Sequence, residues 1–352
     1  MRKRLLLVVF ILIFIPNISF AVTKEVDIGQ AVDLALEENL ELKNSKLNLE
    51  NAKLDYKEEK LENLLADSDY LKLKNEFNLA QATEKYNQTR NELVVEITEL
   101  YFNTLLAQER ISLKEKEVKY RGLDLAEVKQ EVQSGYKNEL DLYEAKIENN
   151  KAEFALKDQI IEAEQLLEQL KLKLNLGIEA NLELEDVEYS DFWEIASKNA
   201  IEKAKNNNLH LELKRKSKEL SILEIKRAKA DSTSSLDLER IENKKKSAQY
   251  EYQDFINNLE DSVQQEYHNL QSAIEELTIT KDKIEQFERR FEAASERRER
   301  NLISQVDFLE IEIELLETET NKLTAVRNYY LSKLELQNLI GSEIEVSADG
   351  EF

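Results

Sequence analysis

The chain has 352 residues, a formal net charge of −23, no cysteine and a single proline. An acidic excess of this size repels phosphate backbones, so we expect no nucleic-acid partner. Without cysteine the chain has neither disulfides nor thiolate metal sites. Glu, Lys, Leu, Ala and Asn dominate and glycine is scarce, a composition typical of long helices or coiled coils.

The N-terminal residues have the pattern of a secretory signal peptide. Three basic residues at 2–4 precede an unbroken apolar run at 5–15, and the small residues Ser19 and Ala21 follow. This pattern predicts a signal peptide over residues 1–21, cleaved after Ala21. An uncleaved anchor is the alternative, but the apolar run is shorter than the roughly 20 residues that a spanning helix needs. We therefore expect an exported protein.

Apolar residues repeat at helical intervals on both sides of Gly135. Before this glycine the interval is seven, in Ile111, Val118, Leu125 and Val132. After it, intervals of four and three alternate, in Leu156, Ile160, Ala163, Leu167, Leu170 and Leu174. Such stripes bury a seam between two packed helices. The pattern predicts a helix of about 50 to 60 residues, reaching roughly 75 to 90 Å, then a reversal at Gly135 and a returning helix.

Two further glycines indicate where the returning helices stop. "LNLG" ends at Gly177 and "NLIG" ends at Gly341. Because glycine suits the left-handed position just past a helix end, we expect both glycines to occupy that position.

Three short stretches of the chain occur twice, in the same order. The pairs are AVDLALEENLEL from Ala31 with AIEKAKNNNLHL from Ala200, ELYFN at 99–103 with QEYHN at 265–269, and LDLYE at 140–144 with VDFLE at 306–310. The last two pairs share an offset of 166 positions. This order predicts a tandem duplication, with one helical repeat at residues 22–185 and a second at 186–352. The expected fold is all-α, two tandem repeats of long antiparallel coiled-coil hairpins with little or no β structure.

In these features the sequence resembles the TolC family of outer-membrane efflux proteins. The resemblance is carried by motifs that occur once in each repeat and in the same order. They are ALEENLEL and AKNNNLHL, GYKNELDLYEA and NLISQVDFLEI, and LNLG and NLIG. The resemblance implies that three copies close into a helical tunnel through the periplasm of a Gram-negative-type envelope. It also implies a periplasmic adaptor (membrane fusion) protein and an inner-membrane transporter as partners.

The chain departs from the family where each repeat should supply two β-strands of an outer-membrane barrel. The equivalent stretches are Leu64 to Phe77 and Ala228 to Ile241. A membrane hairpin needs two strands of about 9 to 11 residues with alternating lipid-facing apolar residues. Neither stretch has this pattern, so we expect a shortened member that lacks the barrel strands.

The resemblance assigns roles to residues at the two hairpin reversals. The expected adaptor-docking tips are Gly135, Tyr136, Asn301, Leu302 and Ser304. Acidic residues just beyond them match the family's cation-selective entrance, and these are Asp141, Glu144, Asp307 and Glu310. A solvated helix face is the alternative for all four carboxylates. Asp141 and Asp307 also suit the N-cap of their returning helices.

Family members hold the entrance shut with a Tyr and an Arg in the second tip. The corresponding positions here are Arg298 and Ile303, so that gate is absent in its usual form. Pairing of Asp141 with Arg297, Arg298 or Arg300 is another possible contact.

The expected function is a passive conduit for efflux or secretion at the outer membrane or in the periplasm. The alternative is a barrel-less periplasmic coiled-coil scaffold or spacer that binds envelope partners without forming a pore. No nucleophile motif, Gly-rich phosphate loop or metal-spaced histidine cluster is visible, so we expect no enzyme, cofactor or metal site.

Overall fold

A computed structural model describes residues 24–66, 68–187, 192–344 and 346. The predicted signal peptide, residues 1–21, lies outside this part of the chain. The described elements occur in the order β1 (Lys24–Val26), α1 (Ile28–Glu38), α2 (Leu40–Ala66), α3 (Asp69–Gln133), α4 (Glu139–Lys173), β2 (Leu182–Leu184), α5 (Ser197–Asn207), α6 (Leu209–Ala230), α7 (Ser235–Glu299) and α8 (Gln305–Leu339).

The helices form two sets of four, in which three of the four corresponding pairs match in length and α2 is longer than α6. Helices α3 and α7 each have 65 residues, and α4 and α8 each have 35. The predicted helix before Gly135 is therefore longer than expected and spans roughly 98 Å at 1.5 Å per residue. Strands β1 and β2 have three residues each and pair in parallel. The expected all-α fold of paired long helices with little β structure is confirmed.

An Asn-Leu pair, Asn39–Leu40 in the first repeat and Asn208–Leu209 in the second, lies between the first two helices of each repeat. Asn39 and Asn208 have extended backbone angles, which stop α1 and α5. Their side chains then accept hydrogen bonds from the backbone N–H groups of Leu42 (2.8 Å) and Leu211 (2.9 Å). Each asparagine thus ends one helix and caps the next, because its short amide side chain can satisfy an exposed backbone donor.

The four longest helices all stop in the same way. A residue with positive φ follows each helix, and these residues are Gly135, Asn175, Asn301 and Gly341. In each case this residue and the one after it donate their backbone N–H groups to carbonyls of the last helical turn. At the end of α8, Gly341 donates to Asn338 (3.2 Å) and Ser342 donates to Gln337 (3.0 Å). The prediction for Gly341 is confirmed. The prediction for Gly177 is wrong, since Asn175 takes the left-handed position two residues earlier.

Helix α3 is the central helix of the bundle. It packs against α1, α2 and α4 of its own repeat and against α6 and α8 of the other, while α7 packs against α5, α6 and α8. The core lies near the ends of α1 and α5, where the fully buried Tyr101 places its hydroxyl 2.9 Å from the Val26 carbonyl and 2.7 Å from the Glu185 carbonyl. On the predicted seam of α4, Ala163, Leu170 and Leu174 are buried.

The two stretches that depart from the family pattern are largely helical. Helix α2 continues to Ala66 and α3 begins at Asp69, while α6 and α7 are joined by residues 231–234. Among the described residues, no helix contains a segment that is both long and apolar enough to cross a membrane.

Candidate functional site

The first hairpin tip, residues 134–138, joins α3 to α4. Helix α3 stops at Gly135, whose φ is 77°. Helix α4 is capped by Asn138, whose side chain accepts hydrogen bonds from the N–H groups of Leu140 (2.7 Å) and Asp141 (3.1 Å). The Asp141 carboxylate accepts in return from the Asn138 N–H at 2.8 Å. Local hydrogen bonds therefore fix both ends of this tip.

The second tip, residues 300–304, repeats this geometry with different residues. Asn301, with φ of 57°, stands at the position of Gly135. Ser304 caps α8 by accepting from the Asp307 N–H at 3.0 Å, and the Asp307 carboxylate accepts from the Ser304 N–H at 3.4 Å. Asparagine and serine thus perform the same tasks as glycine and asparagine in the first tip.

Both tips lie at one end of the bundle. Helix α3 runs antiparallel to α8, since Asn91 pairs with Asn338 (2.9 Å) and Lys116 pairs with Glu312 (2.7 Å). The apolar tip residues point into solvent, with Tyr136 85% exposed and Leu302 64% exposed. Gly135, Asn301 and Ser304 are exposed as well.

The four acidic residues predicted for the entrance divide into two pairs. Asp141 and Asp307 are the third residues of their helices and each uses one carboxylate oxygen in a capping box. They are therefore not the N-caps, because Asn138 and Ser304 hold those positions. Glu144 and Glu310, one turn further along, are exposed. The pKa of Lys137 is raised mainly by its hydrogen bond to Glu131, and the charge of Asp141 adds to this effect.

Arg298 and Arg300 bond to residues in or next to the second tip. The Arg298 guanidinium donates to the Gln305 side chain (2.6 Å) and to the Ile303 carbonyl (3.3 Å). Arg300 lies 3.6 Å from Glu296, one turn earlier in α7. In the described part of a single chain, neither arginine pairs with Asp141.

Helices α2 and α4 carry exposed apolar stripes that the sequence prediction missed. The members recur every seven residues and are 52% to 78% exposed; they are Leu40, Leu47, Leu54 and Leu61 on α2, and Leu140, Ile147, Phe154 and Ile161 on α4. The interval of seven is visible in the sequence. Large exposed apolar patches on a folded chain indicate an interaction surface.

The counterpart of the α4 stripe in the second repeat is covered. The residues 166 positions after the α4 stripe are all partly or fully buried, and they are Val306, Ile313, Thr320 and Arg327. Helix α8 packs on α3 in this region, with Arg327 donating to Asn103 at 2.8 Å. In the single chain the corresponding face of α4, which carries the exposed stripe, is not covered in this way.

Helix α7 shows the complementary difference. Ile279 is 56% exposed, while its counterpart on α3, Leu113, is 7% exposed. Tyr250 is exposed, whereas its counterpart Glu84 contacts His210 of α6 at 3.3 Å. On α3, this side of the helix packs against α8 and α6. The corresponding side of α7 is therefore open to solvent.

The long helices contact one another in the order α4, α3, α8 and α7, so the open faces of α4 and α7 lie at the two edges of this all-helical fold. Residues 233–342, which include α7 and α8, match the family of outer membrane efflux proteins. No curated protein matches the sequence.

Solved structures of similar fold extend the comparison to nearly the whole chain. A membrane protein from Pseudomonas aeruginosa is 16% identical, with 90% of each chain covered and a TM-score of 0.64. The CmeC outer membrane channel of Campylobacter jejuni is 13% identical, with 92% of this chain and 87% of that chain covered and a TM-score of 0.65. The outer membrane protein VceC from Vibrio cholerae is 11% identical, with 92% and 97% covered and a TM-score of 0.65.

The family match and the shared fold confirm the resemblance to the TolC family of outer membrane efflux proteins. The matched family is one of efflux proteins and the CmeC structure is a channel, in agreement with the expectation that this chain is not an enzyme.

Proposed function

We propose that the protein is the passive conduit of an envelope export system. Three copies close into a tube in which first and second repeats alternate. An inner-membrane transporter, joined through a periplasmic adaptor, drives small molecules or proteins through this tube.

The observation that carries this proposal is the mismatch in burial between the two repeats. The α4 stripe around Ile147 and Phe154 is exposed, while the same face of α8 is covered by α3. A second copy that places its α7 on this stripe buries the open faces of both helices. Because those faces lie on different sides of the chain, copies add head to tail, and such a series ends only when it closes into a ring.

The tips supply the surface proposed for the adaptor. Tyr136 and Leu302 present apolar side chains at the same end of the bundle, on backbones held by the local hydrogen bonds of Gly135 and Asn301. Exposed aromatic and aliphatic residues on a rigid support are suited to binding a partner protein.

The acidic residues near the tips give the proposed mouth of the tube its charge. In a ring of three copies, Glu144 and Glu310 would each occur three times, with Asp141 and Asp307 one turn nearer the tips. Rings of carboxylates concentrate cations. We therefore expect cationic substrates to enter more readily than anionic ones.

The test compares the wild type with Phe154→Asp in a strain from which the gene has been deleted. Deletion raises the cell content of a fluorescent cationic dye, and the wild-type gene restores the low content. Phe154→Asp fails to restore it, because a charge in the stripe blocks contact between copies. Ile178→Asp, a matched change at an exposed apolar residue outside the stripes, restores it fully.

Imaging of the purified proteins separates a conduit from a scaffold. Wild type and Ile178→Asp form hollow rings in end-on views, whereas Phe154→Asp remains a single rod. A wild type that stays monomeric at high concentration, with and without detergent, contradicts the conduit and supports the coiled-coil scaffold.

A further inference from the structure

An ion pair links the two repeats inside the chain. Lys116 on α3 lies 2.7 Å from Glu312 on α8, and both side chains are partly buried. The contact lies on the antiparallel α3–α8 face. It therefore marks the register at which a first-repeat helix accepts the returning helix of a second repeat.

The counterparts of these two residues have the opposite charges. Asp282 on α7 stands 166 positions after Lys116, and Lys146 on α4 stands 166 positions before Glu312. Both are exposed in the single chain. The intrachain pair has Lys on α3 and Glu on α8, whereas the counterpart positions have Asp on α7 and Lys on α4.

The apolar surroundings of the second pair are also uncovered. Ile279 lies one turn before Asp282 on the same face of α7, and Ile147 follows Lys146 on α4. Both isoleucines are more than half exposed. Their counterparts Leu113 and Ile313 are buried or partly buried beside the Lys116–Glu312 pair. The sites of Asp282 and Lys146 thus match the intrachain site in layout and lack only the partner helix.

We infer that Asp282 of one copy pairs with Lys146 of the next, and that this pair sets the order of repeats around the ring. The inference rests on the proposed ring of copies. The occupant of the open α4 face is a second copy of this chain, because its α7 is complementary in both charge and apolar pattern.

The reversal of charge excludes the wrong neighbours. If α4 of one copy packed on α3 of another, Lys146 would face Lys116. If α8 packed on α7 of another copy, Glu312 would face Asp282. Like charges at a contact suppress incorrect partners, even where the correct pair adds little affinity in itself. The two pairs thus allow only the alternation of first and second repeats.

Charge reversal at each position tests the pair in the full-length chain. Lys146→Glu and Asp282→Lys are each expected to raise the protein concentration at half-assembly by about tenfold, since each places like charges at every contact between copies. The double variant Lys146→Glu/Asp282→Lys restores attraction and is expected to assemble within about threefold of the wild type. Lys198→Glu, an equal change of charge on α5, leaves assembly unchanged. Circular dichroism confirms that all variants keep the helical content of the wild type.

The outcomes separate this inference from the proposed function. A wild type that assembles while both single variants assemble at the same concentration overturns the pair and leaves the ring intact. A double variant no better than the single variants also overturns the pair. A wild type that never assembles contradicts the ring itself, and the pair with it.

Discussion

Lys333 is a buried lysine in the middle of the helical core. Only 1% of its surface is exposed, and burial lowers its pKa from 10.5 to about 7. The residue at the same position of the first repeat is Leu167. In the unfolded chain the lysine regains its ordinary pKa, so between about pH 7 and 10.5 the unfolded state binds more protons than the folded state. Unfolding free energy therefore rises with pH through this window as the destabilising effect of Lys333 is relieved.

Replacing this lysine with the residue of the first repeat is expected to stabilise the protein. Lys333→Leu raises the unfolding free energy by about 2 kcal/mol at pH 6, where the charged lysine is disfavoured most, and by much less at pH 10.5. Denaturant titrations at the two pH values measure the difference. Lys322→Leu, at an exposed lysine of the same helix, is the control for the loss of one surface charge. An equal effect of Lys333→Leu at both pH values contradicts a depressed pKa.

The glycines that follow α3 and α8 allow the effects of backbone strain and of steric collision to be compared. Gly135 and Gly341 have similar positive φ values, 77° and 65°, but different surroundings. Nothing lies within 4 Å of a Cβ added at Gly135, whereas one added at Gly341 would lie 2.5 Å from the carbonyl oxygen of Asn207. The end of α8 thus packs backbone to backbone against the end of α5, and only glycine permits this approach.

Alanine at these two glycines separates backbone strain from collision. Gly135→Ala is expected to cost about 1 kcal/mol of unfolding free energy, from the left-handed conformation alone. Gly341→Ala is expected to cost about 3 kcal/mol or more, because the backbone of α5 must also move. Thermal or denaturant unfolding measures both values. Equal costs would show that the α5 end yields without resistance.

The elements were predictable to the extent that local chemistry defines them. The reversal at Gly135, the left-handed Gly341 and the duplicated Asn-Leu junction all depend on residues close in sequence. Asn175 was missed because glycine adopts the left-handed conformation more readily than asparagine, which made the nearby Gly177 the expected position. The stripe through Ile147 and Phe154 was missed for another reason. A heptad pattern shows that a helix face is covered, but only the fold shows whether the cover comes from the same chain.

At the scale of the whole molecule, the duplication explains why one chain has an open face at each side. Inside the chain α3 receives α8, and the same relation shifted by one repeat would bring α4 of another copy onto α7. Each copy thus contains one complete contact of this kind inside the chain, between α3 and α8. At each edge it presents one helix, α4 or α7, that can form the same kind of contact with another copy. A ring built in this way contains equal numbers of both kinds of contact, one set by Lys116 and Glu312 and the other by Asp282 and Lys146.

Mixing the two charge variants reports whether the ring contains an odd number of copies. Lys146→Glu presents only acidic residues at its contacts and Asp282→Lys presents only lysines, so opposite variants attract and identical variants repel. In a ring of three, at least one contact joins identical variants, and an equal mixture recovers assembly only partly. In a ring of two or four, strict alternation removes every repulsive contact, and the mixture assembles as well as the wild type. Native mass spectrometry of the mixture resolves the compositions, and we expect mixed rings of three that dissociate more readily than those of the double variant. Full recovery, with equal numbers of the two variants in every ring, contradicts the trimer while leaving the Asp282–Lys146 contact in place.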